Sequence, residues 1–321
     1  MKFPYKKAIV TGGAGFIGSH IVEALLKHDI EVISVDNYVG GKEENIALFK
    51  KNKKFTDIHG DVADREHMKQ LMPGVDIIFH NAASKKNVCI TDPNRDLMTN
   101  ALGTLTLLQL SQEYGVKKFV HASTGSVYGE AVVLPQSEDH PLRPRSYYGV
   151  SKLAGERYVD VFNSLHSLNT TILRYFHVYG PRQESSDYGG VIAIFNRNIM
   201  AGKQPIIFGD GTQERSFTHV HDVVQANMLA ATKPESEGEV YNVASGIKIT
   251  INDTARMLLH FHGSMLEPIY DDWLVGDIRK FDVKNTKLKS LGLKSFIPFE
   301  KGLQDTAKWY KKYFSGSPST K

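Results

Sequence analysis

The stretch AIVTGGAGFIGSHIVEALL, Ala8–Leu26, decides the fold class. It opens with a short β-branched run that is typical of a buried strand and closes with the apolar periodicity of an amphipathic helix. Between them, Gly12, Gly15 and Gly18 follow the spacing G-x-x-G-x-x-G. Glycine lets the backbone turn tightly and approach a phosphate, and the free N–H groups at the start of a helix favour an anion. Strand, glycine turn and helix together therefore predict a dinucleotide-binding site.

An acidic residue stands at the end of the next predicted strand. Asp36 follows Gly18 by eighteen residues, where a carboxylate accepts hydrogen bonds from both ribose hydroxyls of adenosine. The same carboxylate repels a 2′-phosphate, so the sequence favours NAD over NADP. The alternative is an aspartate that only caps a turn with Asn37. Asp61, in the segment HGDVAD, ends another predicted strand, where it could meet the adenine; alone it would be only a turn aspartate.

Short apolar runs alternate with amphipathic stretches through the first half of the chain. The runs are rich in Val and Ile, and the helical periods between them predict a parallel sheet covered on both faces. The predicted strands are Lys7–Thr11, Glu31–Asp36, Lys54–His59, Asp76–His80, Lys118–Ala122 and Thr170–Tyr175. The predicted helices are Phe16–His28, Asp64–Leu71, Arg95–Tyr114 and Tyr148–His166. The predicted fold class is α/β, a Rossmann-type doubly wound parallel sheet with a smaller mixed C-terminal substrate domain.

The alternation changes after Phe176. A loop rich in Gly, Pro and Ser follows, and then come a predicted helix at Val191–Ala201, a strand at Ile206–Phe208 and a helix near Asp222–Ala231. We therefore expect an NAD-binding domain over residues 1–176 plus about 214–244. Residues 177–213 and 245–321 would form the substrate domain.

The composition argues against several classes of protein. The 321 residues are 41% hydrophobic and 23% charged, which suits a large α/β unit with a sizeable core. The only cysteine, Cys89, cannot form a disulfide within the chain and has no apparent base beside it, so we expect an inert thiol and a cytoplasmic setting. No apolar run approaches the ~20 residues of a membrane span. The net charge of +4 is mixed along the chain, so no nucleic-acid partner is expected, and the sequence shows no metal cluster.

The segment RSYYGVSKLAGE, Arg145–Glu156, carries the candidate base. Tyr148 and Lys152 are four residues apart and share one face of a helix, whereas Tyr147 points elsewhere. A free tyrosine has a pKa of ~10, so half ionisation near neutral pH needs a drop of ~3 units, roughly 4 kcal/mol. The ammonium, the helix N-terminus and an oxidised nicotinamide could supply it together. The alternative is a surface tyrosine beside a lysine whose stem lies along the helix.

Three hydroxyl groups follow the strand that ends near Ala122. Ser123, Thr124 and Ser126 lie at its carboxyl end, the edge at which ligands bind in such sheets. A hydroxyl there could hydrogen-bond a reacting oxygen and relay its proton to Tyr148. The alternative is a Ser/Thr turn without a chemical role.

With these motifs together, the sequence resembles the extended short-chain dehydrogenase/reductase family, the NAD-dependent epimerases and dehydratases of nucleotide sugars. The resemblance covers nearly the whole chain, and its motifs occur in family order: TGGAGFIGSH, VDN, GDV, YYGVSK, LRYFHVYGPRQ, IFGDGTQERSFTHVHDVV and YNVASG. It implies an NAD cofactor, a nucleotide-sugar substrate and a homodimer formed through the helices Arg95–Tyr114 and Tyr148–His166.

The resemblance also implies roles for individual residues. Thr124, Tyr148 and Lys152 match the catalytic Ser/Thr–Tyr–Lys triad. The residues that match cofactor contacts are Gly12, Gly15, Phe16, Ile17, Asp36, Asn37, Asp61, Val62, Ala82, Ala83, Lys85, Asn100, Tyr148 and Lys152. The candidates for substrate binding are Lys85, Ser123, Ser126, His177, Val191, Arg215 and Arg279. Arg215 and Arg279 match arginines that clamp the nucleotide diphosphate, a task that suits a guanidinium fork.

The motif STGSVYG indicates which member of the family the chain resembles. Dehydratases carry Asp-Glu just before VYG, and related decarboxylases carry a Glu, but this chain has Gly125 and Ser126. It therefore looks more like the 4-epimerases, acting through a transient 4-keto intermediate, with a UDP-sugar as the expected substrate. Lys85 fits more than one activity, so a dehydratase, a 4-dehydrogenase or a reductase stays open. A non-catalytic NAD-binding sensor is the remote alternative, because Tyr148 and Lys152 are both retained.

His177 departs from the family pattern. It stands in RYFHVYG, where many epimerases have an Asn that touches the sugar. An imidazole is larger and can be cationic near neutral pH, which would favour an acidic, acylated or otherwise modified sugar. The alternative is a neutral histidine satisfied within the fold.

Overall fold

The computed structural model describes residues 3–84, 86–187, 189–273 and 282–316. Thirteen strands lie in these ranges: β1 (Lys7–Thr11), β2 (Glu31–Asp36), β3 (Phe55–His59), β4 (Ile77–His80), β5 (Lys118–Thr124), β6 (Thr170–Tyr175), β7 (Val178–Tyr179), β8 (Ile206–Phe208), β9 (Glu214–Arg215), β10 (Thr218–His219), β11 (Glu239–Val243), β12 (Ile249–Thr250) and β13 (Ile269–Asp271).

Twelve α-helices are described in the same ranges. They are α1 (Phe16–Lys27), α2 (Glu43–Ile46), α3 (Arg65–Leu71), α4 (Lys86–Thr91), α5 (Pro93–Leu97), α6 (Gly103–Glu113), α7 (Tyr147–His166), α8 (Val191–Met200), α9 (Val220–Thr232), α10 (Ile251–His262), α11 (Thr286–Leu291) and α12 (Phe299–Gly316). Within the described part of the chain, no helix has both the length and the apolar run that crossing a bilayer requires.

Seven parallel strands form the central sheet, in the order β11-β6-β5-β4-β1-β2-β3. Strand order reverses beside β1, and ligands of doubly wound sheets bind at such a switch point, outside the carboxyl ends of the strands. The structure therefore confirms the Rossmann-type fold class. The edge after β1, β2, β4 and β5 is where the glycine turn, Asp36 and the Ser/Thr cluster meet.

Alternate residues of each central strand face opposite sides of the sheet. Ala8 and Val10 join an apolar cluster with α1, α9 and α11, while Ile9 joins a second cluster with α3, α6 and α7. A third apolar cluster lies in the C-terminal part, where α8, α10 and α12 pack together. The buried faces explain why the central strands read as continuous apolar runs.

The predicted helix Arg95–Tyr114 differs in the structure. Asp92 caps its start by accepting the N–H of Arg95 at 3.0 Å, and a π-helical turn, Met98–Leu102, separates α5 from α6. The wider turn brings the carbonyl of Asn100 against Gly155 of α7, where an added Cβ would lie 2.9 Å from that oxygen. The break therefore accompanies a close helix contact that periodicity does not reveal.

Candidate active site

The glycine turn forms the floor of a cavity of about 380 Å³. Gly12 has a φ of +66°, and a Cβ on Gly18 would lie 2.1 Å from the Gly12 carbonyl oxygen. No side chain caps α1, and Gly15, Phe16 and Ile17 at its start line the cavity. The glycine turn and the uncapped start of α1, at the positive end of the helix dipole, fit a pyrophosphate.

Asp36 lies at the rim of the same cavity and is 6% exposed. Its carboxylate accepts the N–H of Ala14 at 3.0 Å and that of Tyr38 at 2.8 Å, which fixes its direction. Burial raises the pKa of Asp36, and the two backbone hydrogen bonds oppose that rise. The residues fit the adenosine end of a dinucleotide, because an oriented acceptor stands beside the glycine turn.

Of the other predicted cofactor contacts on this side, two line the cavity and one lies behind the cavity wall. Asn37 and Val62 line the cavity, whereas Asp61 does not. The Asp61 carboxylate accepts the Asn37 amide at 3.3 Å and pairs with Arg95 at 2.5 Å. It therefore lies behind Asn37 and holds that loop against α5.

Ala82 and Ala83, after β4, form the opposite wall. Asn100 is fully buried behind them and accepts the N–H of Ser84 at 3.1 Å. Its amide donates to Asp96 at 2.8 Å and to Ser151 at 2.9 Å. Asn100 thus supports the wall from α5 and α7 and is not one of its lining residues.

Tyr148 lies where this cavity meets a second one of about 880 Å³. The hydroxyl of Thr124 lies close enough to Tyr148 to lower its pKa. Tyr147 is 60% exposed and lines only the second cavity. Burial raises the pKa of Tyr148 to about 12, the charges of Cys89 and Asp96 add to the rise, and Thr124 opposes it. Desolvation of the phenolate therefore outweighs the protein groups that favour it, and the lowering expected from the ammonium, the helix N-terminus and an oxidised nicotinamide together stays a prediction.

Lys152 is one helical turn from Tyr148 and is 1% exposed. Burial lowers the pKa of Lys152 to about 8, and the carboxylates of Glu156 and Asp96 limit that fall. At neutral pH the side chain is therefore a buried cation. It lies beneath the cavity wall and is not a lining residue.

The three hydroxyl groups of the Ser/Thr cluster have different partners. Ser123 and Thr124 are the last residues of β5, which runs two residues beyond its predicted end. Ser123 donates to Glu156 at 2.5 Å. Thr124 donates to Ser126 at 3.2 Å, and Ser126 lines the second cavity. Of the three residues, Thr124 is the one whose hydroxyl acts on the pKa of Tyr148.

His177 is half-buried in the segment between β6 and β7. Its backbone has a φ of +39°, and its ring meets the edge of Phe217 at a centroid distance of 6.1 Å. Burial lowers the pKa of His177 to about 3, and the charge of Arg215 lowers it further. The structure therefore contradicts a cationic His177 near neutral pH.

The remaining substrate candidates are dispersed. Val191 is the first residue of α8, and Arg215 ends β9 with its guanidinium donating to the Glu214 carbonyl at 2.9 Å. Neither residue lines the two cavities, and neither does His177. Lys85 and Arg279 lie outside the described residues.

One wall of the first cavity had not been predicted. It is the segment after β7, here called the covering segment, and its lining residues are Arg182, Gln183, Glu184, Gly189 and Gly190. Arg182 pairs with Glu23 of α1 at 2.6 Å, and the Pro181 carbonyl contacts the His20 imidazole at 3.0 Å. The sequence motif GPRQ could have pointed to this segment, but the contact with α1 is visible only in the structure.

The thiol of Cys89 donates to Asp96 at 2.8 Å. Burial, together with this contact, raises the pKa of Cys89 to about 12, so the thiol is protonated at neutral pH. In the described ranges, no group of three or more His, Cys, Asp or Glu side chains has the arrangement of a metal site.

Comparison with known proteins gives concordant findings. The sequence model of the NAD dependent epimerase/dehydratase family matches residues 8–244. A putative UDP-glucose 4-epimerase of Methanocaldococcus jannaschii is 37% identical over 307 residues, covering 94% of this chain and 98% of that protein. The structure of UDP-glucose 4-epimerase from Thermotoga maritima, with UDP-glucose, superposes with a TM-score of 0.89 at 38% identity, covering 96% and 99% of the two chains. UDP-N-acetylglucosamine 4-epimerase from Methanobrevibacter ruminantium M1, in complex with UDP-N-acetylmuramic acid, gives 0.90 at 34% identity, covering 98% and 100%.

Proposed function

Because the chain belongs to the NAD-dependent epimerase/dehydratase family and NAD is its cofactor, we propose that it is a nucleotide-sugar 4-epimerase. The proposed substrate is a UDP-sugar, and the proposed route passes through a transient 4-keto sugar. The names of the similar proteins support a UDP-sugar.

The observation that carries this choice is the space around Gly125. A Cβ on Gly125 would lie 2.5 Å from the buried ring of Phe176, so a carboxylate side chain has no room there. The described residues that line the second cavity include neither Asp nor Glu. Elimination of water needs an acid and base beyond the tyrosine, and this side of Tyr148 offers none among those residues. Redox inversion at C4 needs only the Thr124–Tyr148–Lys152 set.

We assign the proton chemistry to Tyr148. As phenolate it accepts the proton of the C4 hydroxyl, and as phenol it returns a proton when the ketone is reduced on its other face. Thr124, whose hydroxyl lies close enough to lower the pKa of Tyr148, is proposed to hold the reacting oxygen. The buried Lys152 cation stabilises the phenolate one helical turn away. NAD, when bound, takes the hydride from C4 and gives it back.

For the nucleotide, we propose that Arg215 and Arg279 bind the diphosphate. Lys85, Ser126 and Val191 are proposed to lie along the sugar. The proposed division of labour follows the chain: residues 1–176 with about 214–244 bind NAD, and residues 177–213 with 245–321 bind the nucleotide sugar. The third apolar cluster, which joins α8, α10 and α12, supports a separate substrate-binding unit.

We also propose a cytoplasmic homodimer that buries the outer faces of α5, α6 and α7. Exposed apolar side chains collect there: Leu97, Met98, Leu102, Val150, Tyr158, Val161 and Leu165. Light scattering should give twice the chain mass of 35.9 kDa. Leu165→Glu should give monomer, whereas Leu48→Glu, at another highly exposed leucine, should not. A monomeric wild type rejects this interface.

The reaction is tested by incubating the protein and NAD with UDP-glucose, UDP-N-acetylglucosamine, UDP-glucuronic acid and dTDP-glucose, with products read by NMR. We expect one of the UDP-sugars to be inverted at C4, with no net NADH and no free ketosugar. A 4-keto-6-deoxy product would identify a dehydratase, and accumulated NADH a dehydrogenase. Tyr148→Phe is the control that separates this activity from a contaminant.

A further inference from the structure

A buried ion pair lies directly behind the Tyr148 site. The side chains of Glu156 on α7 and Arg174 on β6 are 1% and 4% exposed. The guanidinium binds the carboxylate through two nitrogen atoms, at 3.0 and 2.7 Å. This bidentate geometry fixes the carboxylate and holds it as an anion.

The helix places Glu156 on the active face of α7. Tyr148, Lys152 and Glu156 are each four residues apart, so their side chains lie along one side of the helix. The Glu156 carboxylate also accepts the hydroxyl of Ser123 at 2.5 Å. Ser123 lines the cofactor cavity and precedes Thr124. One carboxylate therefore joins the helix that carries the base to the strand end that carries its hydroxyl partner.

The remaining contacts of Arg174 anchor the pair to the layer beyond. Arg174 donates to the Tyr128 hydroxyl at 2.8 Å and to the Glu138 carbonyl at 3.1 Å. Tyr128 in turn donates to the Asn242 amide oxygen at 2.6 Å. Buried pairs are often replaceable by apolar side chains without loss of stability. Stability therefore does not by itself account for a charged pair at this place.

The charged groups around Lys152 indicate how the Glu156–Arg174 pair can act on it. Burial lowers the pKa of His80 and of His121 well below the usual range, so both neighbouring rings are neutral. Burial also lowers the pKa of Lys152 to about 8, against which Glu156 and then Asp96 raise it. The titratable and charged groups that interact with Lys152 or Glu156 come from α5, α7, β4, β5, β6 and the loop after β5: Asp96, Asp160, His80, His121, Arg174 and Tyr128. Around them, Tyr148 lies on the same face of α7, Cys89 acts on Tyr148, and Glu138 acts on Tyr128.

We propose that Glu156 is a positioning residue of the active site. Its carboxylate, fixed by Arg174, holds Ser123 at the end of β5 and is the counter-charge that keeps Lys152 a cation. Glu156 touches neither cavity and acts on the reaction through Lys152 and Ser123. This goes beyond the proposed function, because it holds for any reaction in which Tyr148 depends on a charged Lys152.

The test measures the titration of Lys152 directly. Protein labelled with 13C at the lysine Cε atoms is titrated by NMR, with and without NAD, and the Lys152 signal is assigned by its loss in Lys152→Arg. Glu156→Gln keeps the shape of the side chain and removes its charge. We expect the Lys152 midpoint to fall by one pH unit or more, the scale on which one close charge moves a pKa. Asp160→Asn, one turn further along α7, is the matched control and should leave the midpoint in place.

A second variant separates this role from a structural one. Glu156→Gln leaves the Arg174 cation unpaired and can unfold the protein, so Glu156→Gln/Arg174→Met, which removes both charges, carries the test in that case. We expect the double variant to fold and to show a Lys152 midpoint between those of the wild type and the single variant. As the pH rises, its kcat should begin to fall at a lower pH than that of the wild type, because Lys152 loses its proton earlier. A midpoint in the double variant equal to that of the wild type would show that the pair acts on Lys152 as a neutral unit, and would overturn the proposal. The titration needs no substrate, so its outcome does not depend on the proposed reaction.

Discussion

Discrimination between NAD and NADP depends on Asp36. Its carboxylate is nearly buried and fixed by the N–H groups of Ala14 and Tyr38, so it cannot turn away from the cavity. Two unit charges held about 4 Å apart repel by about 4 kcal/mol at the effective dielectric constant of ~20 that applies near a protein surface. That energy corresponds to a factor of about a thousand in affinity. We therefore expect NAD to bind about a thousandfold more tightly than NADP.

The assay is titration calorimetry with both cofactors on the wild type and two variants. Asp36→Asn removes the charge, so the preference for NAD should fall to about tenfold or less. Asp57→Asn is the matched control: its carboxylate accepts the Tyr38 hydroxyl at 2.7 Å and does not line the cavity, so the preference should largely persist. Equal affinities in the wild type, or an unchanged preference in Asp36→Asn, would refute the reasoning.

Three further outcomes are expected. Tyr148→Phe should lower kcat by ~10² or more, the usual scale for acid–base catalysis, with NAD binding retained, and Tyr147→Phe should be milder; the reverse order would mean that the wrong tyrosine was chosen. Because burial lowers the pKa of His177 from 6.5 to about 3, the folded protein binds fewer protons than the unfolded chain between these values, so the free energy of unfolding falls as the pH drops below 6.5. Urea unfolding at pH 7.5 and 5.5 gives the drop in the free energy of unfolding between the two pH values. This drop should be about 1.4 kcal/mol smaller in His177→Asn than in the wild type, and an equal drop in both proteins would contradict the prediction. Gly125→Asp should lower the melting temperature without giving a dehydrated product, because its Cβ would press on Phe176; a 4-keto-6-deoxy product from the variant would show that a carboxylate does fit at this position.

The central sheet was predictable because its determinants are local. A buried parallel strand such as β1 carries consecutive β-branched residues, here Ile9–Thr11, and the turn after it needs glycine for steric reasons that neighbouring residues reveal. The bounds of β1, β2 and β6 match the predicted ones for this reason. The Thr124–Tyr148 contact was also accessible, since one residue ends a strand and the other begins the next long helix.

What could not be predicted depends on residues distant in the chain. Arg174 meets Glu156 across a helix–sheet interface, and Arg182 of the covering segment meets Glu23 of α1. The rise in the pKa of Tyr148 within the protein alone was likewise not predictable, because burial sums over neighbours from several elements. A sequence motif does not predict how deeply a side chain is buried.

The covering segment has a kinetic consequence. It lines the cofactor cavity and is tied to α1 at two points, by Arg182 to Glu23 and by Pro181 to His20. If the segment covers a molecule bound against α1, we expect its release to require both ties to open. Its residence time is then set by the opening rate of the protein and not by the strength of its own contacts. In an epimerisation the dinucleotide ends each cycle in the oxidation state in which it began, so slow exchange of the dinucleotide with solution does not lower the turnover rate. The dinucleotide would then behave as a prosthetic group that copurifies with the protein, and not as a soluble co-substrate.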